Sequence, residues 1–270
     1  GGVQAFKRVC LARYAGLPAA KRLEVLEQAI VIDPDFAEAQ LLLADVLESA
    51  GQRERACNLL AAVARRFPGF AWARQRYGVA LRVAGYADEA VAEVQAALDS
   101  EPDGMTLFHA GLFAEAGRDP TTARTLYRRA VDRGCIDPVL CDKLARLEAN
   151  AGQPLEAIEL WERARLLDPG FDHVLGNLAL AHHHAGDCDD AAALFSMALE
   201  RAPQTFTTHA NRAVYLQDLG RHVEALEACS KALVIRPNSP LMYNNRGVSR
   251  LALGDRSGAR RDFEAALDRE

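Results

Sequence analysis

The sequence predicts an all-α solenoid of about eight helix-turn-helix units, and three observations carry that prediction. Glycines recur in register at Gly51, Gly85, Gly117, Gly152, Gly186, Gly220 and Gly254. A second series runs Pro34, Pro68, Pro102, Pro138, Pro169, Pro203 and Pro237, and Gly51, Gly85, Gly152, Gly186 and Gly220 each have a proline half a period downstream. Between these marks the apolar residues repeat at helical rather than strand spacing. A fixed period of about 34 residues means that each unit buries its apolar face against its neighbours rather than in one central core.

Composition narrows the functional classes. Half of the 270 residues are apolar, so burial is ample and the chain is not disordered. Net charge is −5 with no block of like charge, and the basic stripe of a nucleic-acid binder is missing. No apolar run approaches the ~20 residues of a membrane span. The cysteines, Cys10, Cys57, Cys135, Cys141, Cys188 and Cys229, contain no Cys-x-x-Cys pair. They read as small buried hydrophobes in a reducing, cytoplasmic setting, not as disulfides or metal ligands. Arg outnumbers Lys, which reads as a GC-rich, bacterial genome. The chain opens on Gly1-Gly2, so upstream sequence is expected.

Residues 71–102 serve as the type unit. Tyr77, Gly78 and Leu81 share one helical face, and Gly85 ends that helix because glycine accepts the left-handed conformation of a C-cap. Asp88 and Glu89 then occupy the first turn of a second helix, where the dipole favours acids. Ala90, Val94 and Ala97 form its apolar stripe, and Glu101-Pro102 stops it.

This pattern resembles the tetratricopeptide repeat (TPR), over nearly the whole chain. The family's small residue of helix A stands as Ala44, Gly78, Ala110, Ala145, Ala179, Ala213 and Gly247. The small residue opening helix B stands as Ala56, Ala90, Ala157, Ala191, Ala225 and Ala259. One turn later come Leu60, Val94, Trp161, Phe195, Cys229 and Phe263; the second alanine is Ala97, Ala164, Ala198, Ala232 and Ala266. The resemblance implies a right-handed superhelix with helix A lining a concave groove.

Three stretches depart from the pattern. The first unit, up to Pro34, is degenerate; Phe6, Cys10 and Tyr14 give its helix A, and Leu23, Leu26 and Ala29 its helix B. In the middle, the interval from Gly117 to Pro138 is longer than its counterparts, such as Gly85 to Pro102 or Gly152 to Pro169. There Asp119 reads as an N-cap with Pro120 at the first helical position, and Ala123, Tyr127 and Ala130 form a shifted stripe. Gly134 can cap that helix and Asp137-Pro138 can open the next, with Cys135 and Ile136 filling the loop. This reads either as a tolerated insertion in one solenoid or as a break dividing 1–134, holding repeats one to four, from 135–270, holding repeats five to eight. Finally, the chain stops after the last helix B without a polar capping helix. It therefore continues, or the face around 259–267 packs on another molecule, a second copy included.

No catalytic motif stands out. A glycine-rich phosphate loop, a Gly-x-Ser-x-Gly elbow and an isolated acid pair are all missing. His182-His183-His184 lie near Cys188, but neighbouring helical residues point about 100° apart and cannot share one tetrahedral ion. Packing or groove roles are therefore expected, with no metal and no cofactor. By the resemblance, helix A positions two, five, nine, twelve and thirteen meet ligand. They are Trp72, Gln75, Val79, Arg82 and Val83 in repeat three; His173, Gly176, Leu180, His183 and His184 in repeat six; and Thr207, Ala210, Val214, Gln217 and Asp218 in repeat seven. Trp72 is a candidate anchor, with Arg76 and Arg82 beside it. Asn177, Asn211 and Asn245, one period apart, form position six of three successive A helices. This resembles the asparagine ladder of the TPR superhelix in O-GlcNAc transferase, since each amide can pair with a peptide backbone. Groove positions are expected to leave interhelix packing alone. Repeats six to eight lack groove lysines, which argues against a carboxylate clamp.

The expected function is a non-catalytic scaffold that binds an extended segment of a partner protein in the groove. Two alternatives stand beside it: the regulatory or substrate-recruiting arm of a larger enzyme such as a glycosyltransferase, and a self-associating array.

Overall fold

The computed structural model describes residues 2–14 and 16–269, the side chain of Tyr14 excepted. Among the described residues there are sixteen α-helices, one short 3₁₀ turn and no strand. The chain divides into two compact units, Gly1–Cys135 and Ile136–Glu270.

The first unit contains α1 (Gly2–Tyr14), α2 (Ala19–Ile32), α3 (Ala37–Ser49), α4 (Arg53–Arg66), α5 (Ala71–Val83), α6 (Ala87–Leu98), α7 (Gly104–Ala116) and α8 (Pro120–Asp132). Each odd helix packs on the even helix that follows, and α2, α4 and α6 pack on the next odd helix. The second unit repeats the scheme with α9 (Pro138–Asn150), α10 (Pro154–Leu167), α11 (Leu175–Ala185), α12 (Cys188–Arg201), α13 (Phe206–Asp218), α14 (His222–Ile235), α15 (Pro240–Ala252) and α16 (Arg256–Leu267). Within it α13 touches both α11 and α15, so first helices line up beside one another.

The small residues explain the close packing. Ala44, Ala145, Ala179 and Ala213 on first helices, and Ala56, Ala90, Ala157, Ala191 and Ala225 on second helices, have no exposed surface. Where helix A carries glycine, the partner side chain fills its space: a Cβ on Gly78 would lie 2.7 Å from Val94, and one on Gly247 2.6 Å from Phe263. Trp161 is buried with its indole N–H satisfied by Asp142 Oδ1 at 2.8 Å.

The turns follow one rule. Gly51, Gly85, Gly152, Gly186, Gly220 and Gly254 all adopt left-handed φ, between 70° and 99°. Each stands directly before the residue that begins the second helix's N-terminus. Repeat four corrects the expectation for Gly117, whose φ is −77°. The left-handed residue there is Arg118, at φ 61°. The cause lies downstream: Asp119 caps α8 by accepting from Thr122 N at 3.0 Å, and Pro120 fills the first position. That fixes where the second helix starts, so the residue before Asp119 must take the left-handed turn. The same shift moves the small residue of helix A from Ala110 to Gly111, where a Cβ would lie 2.4 Å from the Tyr127 ring. Gly134, left-handed at φ 76°, follows the end of α8, and Asp137 caps α9 through Val139 N and Leu140 N.

Repeat one also differs from expectation. Its first helix buries Ala5, Val9 and Ala12, while Phe6 is 55% exposed and Cys10 half-buried. The Tyr14 side chain lies outside the described residues. In the second helix Leu26 and Ala29 are buried as expected.

A further regularity is not visible in the repeat consensus. Prolines that close second helices leave their carbonyls without a helical donor. Gln40 Nε2 donates to Pro34 O (2.5 Å), Arg74 Nε to Pro68 O (2.8 Å) and His209 Nε2 to Pro203 O (2.8 Å). Pro102 O is instead reached by Arg133, just beyond α8, at 3.2 Å.

Candidate functional site

The site in the second unit starts from a missing side chain. A Cβ on Gly176 would lie 2.9 Å from Thr208 Cα, so glycine lets α13 approach α11 at that point. Asn211 can then reach across: its Nδ2 donates to Gly176 O at 3.1 Å and to Asn177 Oδ1 at 2.8 Å. Both amide hydrogens of Asn211 are used inside the fold, while Asn177 Nδ2 and Asn211 Oδ1 make no hydrogen bond among the described residues.

This changes the reading of the three asparagines. They do not stand as equivalent open amides. The Asn245 side chain makes no hydrogen bond among the described residues. Its backbone carbonyl accepts from Gln217 Nε2 at 2.6 Å, and Gln217 also donates to Ser249 Oγ at 2.8 Å. Gln217 is thus a strap from α13 to α15, and Asn211 a strap from α13 to α11. The expectation that groove positions leave interhelix packing alone fails at both, because a polar side chain beside a neighbouring helix finds its first partner there.

Asn177 and Asn211 edge a cavity of about 490 Å³ with His184. Leu180, Ala181 and the buried Trp161 supply its apolar surface; Arg146 and Asn150 of α9 supply further polar groups. Arg146 and Asn150 were missed by the sequence reading. They occupy in repeat five the same two helical positions, nine and thirteen, that Leu180 and His184 occupy in repeat six, so the rule used for repeats three, six and seven would have found them. The arrangement can accept and donate hydrogen bonds over an apolar floor, which suits a peptide backbone with an apolar side chain inserted.

His183 does not line this cavity. Its Nε2 faces Asp218 Oδ2 at 3.0 Å, its Nδ1 faces Cys188 Sγ at 3.8 Å, and its ring stands edge-on to Tyr215, with centroids 5.1 Å apart. Among the described residues no group of three or more His, Cys, Asp or Glu is placed to hold a metal ion, and no helix is long and apolar enough to cross a membrane.

In the first unit, Trp72 lines a cavity of about 340 Å³ with Leu41, Leu42, Phe70 and Met105, edged by Glu38, Asp45 and Asp103. Its ring meets His109 edge-on at 4.8 Å. The two arginines are committed elsewhere. Arg76 pairs with Asp45 and with Glu48 (3.1 Å), and Arg82 donates to Phe113 O at 2.8 Å while covering the Phe113 ring at 4.3 Å. Val79 and Val83 line a larger cavity of about 670 Å³ with Cys57 and Tyr86. Burial, and then the Glu48 carboxylate, push the Cys57 thiol above its ordinary range.

Comparison with known proteins gives a consistent result. A family model described as "Tetratricopeptide repeat" matches residues 78–135, 143–205 and 185–240, and a second of the same description matches residues 38–69. The Hsp70-Hsp90 organizing protein of Triticum aestivum is 32% identical over 92 residues, covering 34% of this chain and 15% of that protein. The chain therefore spans a small part of the length of that curated relative. A tetratricopeptide repeat protein from Parabacteroides merdae superposes with a TM-score of 0.65 at 16% identity, covering 86% of this chain and 93% of the other. YrrB, described as a TPR protein with an unusual peptide-binding site, superposes with a TM-score of 0.55 at 20% identity, covering 69% of this chain and 96% of its own.

Proposed function

Because the chain belongs to the tetratricopeptide repeat family, we propose that it is a protein-binding module whose second unit holds an extended segment of a partner protein. The observation that carries this reading is the cavity on the first-helix face, where Asn150, Asn177 and Asn211 surround an apolar floor of Leu180 and Ala181. Asn177 Nδ2 donates to a peptide carbonyl and Asn211 Oδ1 accepts from a peptide N–H. An apolar side chain of the segment enters between them. Asn245 extends the track beyond the cavity. Recognition is mainly of backbone, so it tolerates sequence. The role is non-catalytic, and it is the same whether the module stands alone or recruits substrates for a larger enzyme. The cysteines, none in a disulfide among the described residues, suit a reducing, cytoplasmic setting.

The partner class agrees with two of the similar proteins, an Hsp70-Hsp90 organizing protein and a TPR protein with an unusual peptide-binding site. A displayed random-peptide library panned on the whole chain tests the reading, followed by anisotropy titration of the selected peptides. Asn177→Ala and Asn150→Ala should each weaken them by up to about tenfold, since one net hydrogen bond contributes ~0.5–1.5 kcal/mol. The loss should be similar for peptides of different sequence. Selected peptides indifferent to both substitutions would place the binding surface elsewhere.

A second reading, self-association, draws on the last repeat. Leu241, Phe263 and Leu267 line a cavity of about 510 Å³, and Leu267 is 69% exposed. Light scattering across a concentration series tests it; a constant monomer mass would remove it.

A further inference from the structure

We propose that Cys188 is an activated thiol and a site of reversible mixed-disulfide formation with small disulfides. Three helices of the second unit converge on it. The left-handed turn at Gly186, φ 99°, brings the first residue of α12 back over the last turn of α11. Cys188 Sγ then lies 3.8 Å from His183 Nδ1, and His183 Nε2 lies 3.0 Å from Asp218 Oδ2 at the end of α13.

The order of these contacts decides the chemistry. An ionised carboxylate only accepts, so Asp218 holds the imidazole proton on Nε2. Nδ1 is left as an acceptor directed at the thiol. The ring stands edge-on at 85° to Tyr215, whose own hydroxyl donates to Cys188 O at 3.4 Å. The sulfur begins a 14-residue helix whose first turn also carries the exposed Asp189 and Asp190.

In the reaction the Cys188 proton passes to His183 Nδ1, and Asp218 stabilises the imidazolium. The thiolate attacks one sulfur of a small disulfide, RSSR. The S–S bond breaks, RS⁻ leaves and takes up the proton as RSH, and the Cys188 sulfur remains in the mixed disulfide. Excess RSH reverses the step. The peptide site proposed above does not use Cys188, so this inference stands independently of it.

The chain supplies its own controls. Cys10, Cys57 and Cys188 are all half-buried, while Cys135, Cys141 and Cys229 are buried. Oxidised glutathione is added in limiting amount to the whole chain, and occupancy of all six cysteines is followed by peptide mapping. Cys188 should react at least ~10-fold faster than Cys10, as expected of a base-assisted thiol. His183→Gln should bring Cys188 down to the rate of Cys10 and leave Cys10 and Cys57 unchanged. Asp218→Asn should give an intermediate rate; this side chain is 49% exposed, so the variant keeps the test valid should His183→Gln fail to fold. Equal rates at Cys10 and Cys188 in the native chain, or a Cys188 rate insensitive to Asp218→Asn, would overturn the proposal.

Discussion

Replacing Arg118 by glycine should stabilise the first unit. Arg118 holds φ at 61° in a turn where the six equivalent positions carry glycine between 70° and 99°. Its side chain is exposed and makes no hydrogen bond or ion pair among the described residues, so the substitution removes only a conformational constraint. A left-handed non-glycine residue costs about 1–2 kcal/mol. Against this, glycine adds about 0.4–1 kcal/mol of freedom to the unfolded chain. The difference leaves a gain of roughly 0.5–1 kcal/mol, which at a urea slope of ~2 kcal/mol per molar moves the midpoint up by about 0.3–0.5 M. Urea titration followed by helical circular dichroism measures it. Gly85→Ala is the mirror experiment: φ is 92° and no atom lies within 4 Å of a Cβ built there, so its net loss of roughly 0.5–1 kcal/mol, after the same unfolded-chain offset, would be conformational, not steric. An unchanged or lower midpoint for Arg118→Gly would refute the argument that the left-handed turn strains Arg118.

Three further outcomes follow from the second unit. Gly176→Ala should cost about 1–3 kcal/mol, because the added methyl meets the Thr208 backbone at 2.9 Å; faster amide exchange across α13 would register it. Asn211→Ala should destabilise the unit by about 1–3 kcal/mol through loss of two hydrogen bonds, whereas Asn245→Ala should leave stability nearly unchanged in the same urea assay. Stability should also fall in alkali. Burial raises the Cys229 thiol from 9.0 to about 11, so the folded state holds its proton more tightly than the unfolded chain does. That contribution is complete below pH 9 and is lost as pH rises through 11. Cys229→Ala should flatten this part of the profile, and an unaltered slope between pH 9 and 11 would contradict the assignment.

The fold was legible wherever one residue had one job. Six glycines mark six left-handed turns, and the alanines of both helices are buried where the register puts them. In repeat four two signals compete. Gly117 fits the periodic glycine series, but a capping Asp with a following Pro is the stronger constraint on a helix start, and it displaces the turn to Arg118 and the packing residue to Gly111. In repeat one the aromatic Phe6 drew attention from the smaller Ala5, which is the residue actually buried. The candidate site was legible in direction rather than in distance. Equal spacing placed Asn177 and Asn211 on adjacent helices, yet it said nothing of how near Gly176 lets those helices come. At 2.8 Å the Asn211 amide is already donating to Asn177 before any ligand arrives, and among the described residues only Asn177 Nδ2 and Asn211 Oδ1 of the two amides stay open. Arg76 and Arg82 illustrate the same limit, since spacing does not reveal that an acid or a backbone carbonyl already lies within reach.

The proline-carbonyl contacts bear on how such a chain can grow. Gln40, Arg74 and His209 each hold the turn immediately preceding their own helix, so the fastening travels with its own repeat. Amide, guanidinium and imidazole all serve, and selection on that position needs only a donor of adequate reach. Duplicating or deleting such a segment copies or removes its fastening intact. Asn211 and Gln217 behave oppositely, because their partners belong to the neighbouring segments. A unit inserted between α11 and α13 would separate Asn211 from Gly176 and Asn177, and one inserted between α13 and α15 would separate Gln217 from Ser249. The two kinds of contact therefore divide the array into stretches free to be recopied and a stretch held to one lineage of neighbours.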